Sequence, residues 1–487
     1  MLSDISLKEI LIPPAKLYFV GLGGIAMSAV ASIAKNKGFE VLGSDSQGLY
    51  SPSKEILKNS DILCFLGYDK QHIIESHASL YILSAGESES NPEVDYIIKN
   101  NLPRTSFAEL LYELSKDKLR VVVAGTHGKS TTTGFLGHLL KNLDDSSFMA
   151  GAVSQNYQKN FSVGEGHYFV FEGDEYKSQY DDPTPKFHYY KPDVLVLTNL
   201  EFDHPDVFIN LQAMEDEFAE LIDKMPEDGL IIYNADDAVL TKLVHRSNIS
   251  SVSYGVHNEA DYKIEQAQYG KDFTTIDVSN KFSKNVASKL LGATEQYKIQ
   301  LPGEINIYNA LASIATLRTL GFSQEQLALD LLSFKGIKRR FEIVGAKNNI
   351  TVIDDYAHHP TAVRETLKAT RLKFPKAKIW AIFEPHTFSR TKATLDDLIT
   401  SFDSADEVLI SEIYPAREKI NTATIFSTEV INSIKNKNPK MEDHVRLVHN
   451  KKEAIEILKI EAKPSDVVIV MAVGAFNRLA YELMEVF

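Results

Sequence analysis

Arg120-Val-Val-Val-Ala-Gly-Thr-His-Gly-Lys-Ser-Thr-Thr-Thr133 is the stretch on which the fold turns. The run up to Ala124 has the length and apolar character of a buried strand, and the run after Lys129 reads as a helix. Gly125-Thr-His-Gly-Lys-Ser130 lies between them. A glycine turn in that position aims backbone N–H groups at phosphate oxygens, with the positive end of the following helix behind them. The spacing predicts a cradle from Gly125, Thr126, His127 and Gly128. Lys129 then reaches the β- and γ-phosphates of ATP, and Ser130 or Thr131 ligates Mg²⁺. The general pattern asks for a glycine five residues before Gly128, where this chain has Val123, so the match is to the shorter Gly-Thr-x-Gly-Lys-[Ser/Thr] form.

Outward from this loop the chain alternates short apolar runs with amphipathic stretches, the pattern of parallel sheets with crossover helices. Strands are expected at Leu17–Val20, Phe39–Leu42, Ser79–Leu83, Arg120–Ala124, Tyr168–Phe171 and Val194–Thr198. Residues 260–301 alternate apolar with polar, which predicts a small antiparallel insert with one wet face. Helices are expected at Asn306–Leu320 and Ser323–Leu332. The α/β alternation then resumes with strands at Thr351–Ile353, Lys378–Phe383, Glu407–Ile410, Val445–Val448 and Asp466–Met471. The fold class is therefore α/β with three domains, divided at residues 1–115, 116–337 and 338–487. A hinge is expected near Gly336, which can absorb backbone rotation.

A second glycine turn opens the chain. Gly21-Leu-Gly23-Gly24-Ile25-Ala26 follows a strand and precedes the helix predicted over Ile25–Asn36, and Asp45 lies 45 − 21 = 24 positions on. The spacing is that of a dinucleotide fingerprint, whose loop reads a diphosphate and not the group beyond it. Two classes fit: a nicotinamide-dependent oxidoreductase, or an enzyme spending ATP on a substrate that carries its own nucleotide. The first leaves Gly125–Ser130 unexplained.

Composition bounds the rest. The chain has 487 residues, with 52 Lys+Arg against 66 Asp+Glu, a net charge of −14. That balance gives no basic face for sequence-independent nucleic-acid binding. Cys64 is the single cysteine, so no internal disulfide or cysteine-rich zinc site can form. The opening Met-Leu-Ser-Asp-Ile-Ser has no basic n-region and no apolar h-region. No apolar run approaches the length of a membrane span. A cytoplasmic protein without membrane partners is expected.

Five motifs occur in order: Gly125-Thr-His-Gly-Lys-Ser130, Glu172-Gly-Asp-Glu175, Asn199-Leu-Glu-Phe-Asp-His204, Arg339-Arg-Phe341 and Asp354-Asp-Tyr-Ala-His-His-Pro360. In this order they resemble the Mur ligases, ATP-dependent amide-forming enzymes of peptidoglycan precursor synthesis. The resemblance implies a Rossmann-like first domain for a UDP-sugar, a central ATPase-type domain with a small β insert, and a Rossmann-like third domain that completes the ATP and amino-acid sites. It implies Gly21, Gly23, Gly24, Ile25, Ser44, Asp45 and Ser84 for the UDP-sugar. Glu172 and His204 become ligands of a second Mg²⁺ (or Mn²⁺). Asn306 and Asn309 become adenine contacts, although Ile305 replaces the family's histidine beside them. Asp355 becomes the ribose acid. Arg339, favoured over Arg340, becomes the arginine on the γ-phosphate. Tyr356, His358, His386 and Arg390 fall to the amine substrate.

The implied partners are UDP-N-acetylmuramate and L-alanine, in a monomer or homodimer. The stretches around Gly21–Ser28, Glu384–Thr391 and Glu412–Glu418 resemble the alanine-adding branch of the family. The stretch Glu172–Phe208 resembles the recycling branch, which attaches the preformed tripeptide L-Ala-γ-D-Glu-meso-diaminopimelate to the same UDP-sugar. Both amines stay open at this point.

Overall fold

The computed structural model describes residues 7–46, 48–203, 207–270, 272–281, 294–416, 418–419 and 424–487. The first sheet comprises β1 (Lys16–Val20), β2 (Glu40–Asp45), β3 (Leu63–Leu66), β4 (Leu80–Leu83) and β5 (Arg104–Ser106). These strands are all parallel, in the order β3-β2-β1-β4-β5. The order reverses between β1 and β4, and a doubly wound sheet binds ligands beyond the strand ends at such a point. Gly21–Gly24 follows β1 and Ser84 follows β4, so both stand there.

The central sheet takes in β6 (Leu119–Ala124), β7 (Ser147–Met149), β8 (Phe161–Ser162) and β9 (Tyr168–Glu172). After a separate hairpin, β10 (Lys177–Gln179) and β11 (Asp182–Pro185), it continues with β12 (Val194–Leu197), β13 (Leu230–Asn234) and β14 (Ser250–Gly255). It finishes with β15 (Tyr262–Tyr269), β16 (Thr274–Asn280) and β17 (Thr294–Ile299). The order is β17-β16-β15-β14-β13-β12-β6-β9-β7-β8. β15, β16 and β17 pair antiparallel as their alternation predicts, and β17 buries every second residue. They are not a separate insert, however: β15 joins β14 in parallel and extends the central sheet.

The third sheet holds β18 (Glu342–Lys347), β19 (Ile350–Asp355), β20 (Ile379–Phe383), β21 (Glu407–Ser411), β22 (Val445–Val448) and β23 (Val467–Met471), in the order β18-β19-β23-β20-β21-β22. Val121–Ala124 and Val467–Met471 are almost fully buried. Parallel strands covered on both faces read as unbroken apolar runs, which is why the sequence announces them.

The chain passes from the second sheet to the third through a short strap. Phe334 and Ile337 are buried against the helix Lys129–Asp144, where a side chain on Gly134 would come within 2.9 Å of Ile337. Gly336 has φ +96°, but its carbonyl accepts from Gln155 N–H (3.0 Å), and Lys338 N–H donates to Val153 O (2.7 Å). The expected hinge glycine is thus stitched to the central domain. Among the described residues no helix is long and apolar enough to cross a membrane.

Candidate active site

The phosphate loop is held in shape by the protein's own backbone and side chains. Gly125 (φ +134°) and Gly128 (φ +83°) take backbone angles that side chains rarely adopt. A Cβ on Gly125 would lie 2.2 Å from Thr198 Oγ1, and one on Gly128 2.4 Å from Asn309 Oδ1. The end of β12 holds the loop: Thr126 N–H donates to Asn199 O (2.9 Å), His127 N–H to Asn199 Oδ1 (2.8 Å), and Thr198 Oγ1 to His127 O (2.7 Å). The helix Lys129–Asp144 begins at the loop, and the first N–H groups of a helix have no acceptor within it.

Lys129 folds back into this cradle. Its Nζ donates to Gly125 O (2.6 Å), Thr126 O (3.2 Å) and Glu175 Oε1 (3.0 Å). Burial alone would lower the ammonium pKa. Glu175 and Glu172 outweigh burial and hold it above its ordinary value. Glu172, at the end of β9, accepts from Ser130 Oγ (2.9 Å) and from Gly151 N–H (2.6 Å). Burial raises its carboxyl pKa in spite of Lys129 and Ser130. A half-buried carboxylate beside a hydroxyl offers hard oxygen ligands, a donor set that fits Mg²⁺.

The third domain closes the cleft from the other side. Asp355 ends β19 and accepts from Phe341 N–H (2.7 Å) and Ala357 N–H (2.7 Å). Burial raises its pKa, opposed first by Arg340. His358 is half-buried, and its Nδ1–H donates to Tyr356 O (2.8 Å), because a carbonyl can only accept. Burial and then Arg390 hold this histidine well below its ordinary pKa, so the ring is neutral with Nε2 as an acceptor. Arg390 donates to His386 Nδ1 (2.9 Å) and pairs with Asp203 (2.9 Å) across the domain interface. Thr361 Oγ1, also of the third domain, donates to Glu201 Oε2 (2.9 Å), and His127 Nε2 lies 3.4 Å from the same oxygen.

Between these walls lies a cleft of about 260 Å³. Its lining brings together Thr126–Thr131, Glu172, Asn306, Asn309, Asp355, Tyr356, His358, His386 and Arg390, as the sequence led one to expect. The two asparagines are tied into the protein: Asn306 Nδ2 donates to Pro302 O (2.8 Å), Asn309 Nδ2 to Asn306 Oδ1 (3.2 Å), and Thr132 Oγ1 to Asn309 Oδ1 (3.2 Å). Asn309 therefore buttresses the phosphate loop. Ile305 lines the same cleft beside Ala362 and Ala369.

Of the two adjacent arginines, Arg340 and not Arg339 lines the cleft. The Arg339 guanidinium turns into the third domain, donating to Ala472 O and lying 3.7 Å from Asp354. Both cations lie over the Tyr356 ring, at 4.9 and 5.1 Å, so adjacent positions diverge at a bend that the residue types do not reveal. Glu175, Thr198, Asn199 and Asp203 also belong to the site and were not singled out. Each sits inside or beside a quoted motif, and that placement was the available signal. His204 lies outside the described residues.

Gly21, Gly23, Gly24, Ser44, Asp45 and Ser84 gather elsewhere, in the first domain. Gly23 N–H donates to Asp45 Oδ2 (2.8 Å), and Gly21 and Leu22 N–H both donate to Ser44 O (3.0 and 2.8 Å). Ile25 lines a second, narrower space that runs from this loop to Glu172.

Comparison with known proteins accounts for this division. Residues 16–119 match the Mur ligase family catalytic domain, 123–317 the Mur ligase middle domain, and 339–474 the Mur ligase glutamate ligase domain. UDP-N-acetylmuramate–L-alanine ligase of Clostridium acetobutylicum is 34% identical over 94% of this chain and 95% of its own length. The corresponding protein of Caldicellulosiruptor bescii is 33% identical over 95% and 97%. Among solved structures, the UDP-N-acetylmuramate–alanine ligase of Thermotoga maritima superposes with TM-score 0.77 at 25% identity, covering 96% of this chain and 98% of that one. A murein peptide ligase of Psychrobacter arcticus superposes with TM-score 0.70 at 28% identity, covering 97% and 98%. With three domain matches in order, and identity above 30% along nearly the whole length, the chain belongs to the Mur ligase family.

Proposed function

We propose that this protein is an ATP-dependent ligase that joins L-alanine to the lactyl carboxylate of UDP-N-acetylmuramate, releasing ADP and phosphate, in peptidoglycan precursor synthesis. The observation that carries this reading is the single cleft in which Lys129 and Glu172 of the middle domain face Asp355, Arg340, His358 and Arg390 of the third. A free carboxylate resists attack by an amine because its oxygen leaves poorly. Phosphorylation gives an acyl phosphate that an amine can open.

The chain's own residues divide this work. The loop N–H groups and Lys129 bind the β- and γ-phosphates, Arg340 meets the γ-phosphate charge, and Asp355 takes the ribose hydroxyls. Mg²⁺ held by Ser130 and Glu172, and a second ion held by Glu172 with His204, would offset the repulsion between phosphate and carboxylate. Arg390 pairs with the carboxylate of the amino acid, and the neutral His358 offers Nε2 to its amine. Walls from two domains exclude water that would hydrolyse the acyl phosphate. The first domain, divided from the second near residue 115, holds the UDP end at Gly21–Gly24, Ser44, Asp45 and Ser84. The second meets the third near residue 337.

A second reading, the same chemistry with the tripeptide as amine, is favoured by one observation. The murein peptide ligases of Psychrobacter arcticus and Neisseria meningitidis are 28% and 30% identical, the second over only 67% of this chain, against 25% for the Thermotoga alanine ligase. Incubation with UDP-N-acetylmuramate, ATP and either amine, followed by product mass and phosphate release, separates the two. Turnover with L-alanine is expected. Turnover with the tripeptide alone overturns the first reading, and phosphate release with neither amine overturns both.

A further inference from the structure

The narrow space between the glycine loop and the phosphate loop has room for a short side arm. It opens at Ile25 and Ala26 on the first domain and ends at Glu172 and Asp174, which also line the main cleft. Its volume is about 60 Å³. A water needs roughly 10–15 Å³ by this measure, so the space takes about five heavy atoms, an arm and not a hexose.

Two polar groups in its lining are poised for a ligand. Asn160 is fully buried, and its Nδ2 donates to Ala150 O (3.1 Å) and Ile25 O (3.4 Å), but its Oδ1 has no hydrogen-bond partner. A buried acceptor left unmade costs free energy; a carboxylate, which only accepts, cannot satisfy it, so this oxygen calls for a donor elsewhere on the ligand. The second group is Lys186, the one cation among the described residues of this lining. Its ammonium is largely buried, 2.7 Å from Asp174 Oδ2, and lies over the rings of Phe107 (5.5 Å) and Tyr176 (5.8 Å). Phe107 belongs to the first domain and Tyr176 to the second, so Lys186 stands where the two meet.

Resting on the UDP-sugar reading above, we propose that Lys186 is the residue that recognises the carboxylate of the sugar's lactyl arm, guiding it from the glycine loop towards the phosphate loop. The incoming carboxylate shares the ammonium with Asp174. Lys186 is a positioning and specificity residue, so its effect falls on which sugar is held and not on the affinity for ATP.

The test compares UDP-N-acetylmuramate with UDP-N-acetylglucosamine, which lacks the lactyl arm, by titration calorimetry on the full chain. Wild type should prefer the arm-bearing sugar. Lys186→Met should reduce that preference about 10- to 100-fold, the worth of one charge-assisted hydrogen bond. It should leave UDP-N-acetylglucosamine and ATP affinities unchanged, and Lys186→Arg should restore the preference. Should Lys186→Met fail to melt cooperatively, Lys186→Gln, which keeps a donor for Asp174, is read the same way. A preference unchanged in the variants, or both sugars weakened equally, overturns the assignment while the UDP-sugar reading stands. A wild type that binds neither sugar overturns that reading and the assignment with it.

Discussion

The protein makes the same turn twice and charges it differently. Both Gly21–Gly24 and Gly125–Gly128 follow a buried parallel strand and open a helix. In the first, an acid occupies the loop: Asp45 takes the Gly23 N–H. In the second, a cation does: Lys129 lies across two loop carbonyls, with Glu172 and Glu175 beside it. The backbone device supplies N–H groups in either case. The side chains decide whether a phosphate is merely held or is also made transferable. Only the second loop carries the lysine and the carboxylate–hydroxyl pair that a transferring phosphoryl group requires.

Removing the lysine tests that contrast most severely. Lys129→Ala should lower kcat by about 100- to 1000-fold, and by taking the cation from beside the buried Glu175 should also lower the melting temperature. Phosphate release and calorimetric melting measured together decide it; an active variant would make the two loops equivalent.

Next in size is the metal. Glu172→Gln should raise the Mg²⁺ concentration for half-maximal rate by about 10- to 100-fold. Combined with His204→Ala, the loss should fall well short of the product of the single losses if both groups hold one ion. Strict additivity would separate them.

The glycines give a smaller effect that still distinguishes the loops. Gly128→Ala meets both a positive φ and a Cβ 2.4 Å from Asn309, and should cost about 1–3 kcal/mol in denaturant unfolding. Gly24 has φ −65° and nothing nearer than 3.7 Å to its added Cβ, so Gly24→Ala should stay within about 0.5 kcal/mol of wild type. Equal losses would mean that the second loop is not the more tightly preset.

Asp45→Asn should do least. It keeps an acceptor for Gly23 N–H but drops the negative charge beside a bound diphosphate. The KM for the UDP-sugar should change by a factor of about two to five with kcat unaltered, a small electrostatic term. A large fall in kcat would show that the first loop takes part in the chemistry.

How much of this could be read from the sequence follows burial. β6, β20 and β23 are covered on both faces, and their apolar runs gave the strand positions to within a residue or two. β3 was not read, because as an edge strand it exposes Leu63 and Leu66 and shows no clean pattern. The hairpin of β10 and β11 was missed for another reason: Lys177–Gln179 and Asp182–Pro185 are polar and Pro-containing, and only tertiary contact makes them strands. The phosphate loop was legible because its chemistry is local. Glu175 on Lys129 was not, since the two are 46 positions apart and only the end of β9 brings them together. The choice between Arg339 and Arg340 depended on a backbone bend, with φ +61° at Arg339 and +49° at Phe341, that the residue types on either side do not encode.

That bend has a mechanical meaning. The strap is riveted to the central domain at Gly336 and Lys338, so a rotation of the third domain has its fulcrum at the next residues, Arg339 to Phe341. Arg340 protrudes into the cleft from the fulcrum itself. A force applied there has almost no lever arm: it can stiffen the joint but exerts little torque. On the proposed role of Arg340, a phosphate bound there would fix the joint without turning it. The torque that swings the domain shut falls to contacts carried away from the bend, Thr361 on Glu201 and Arg390 on Asp203.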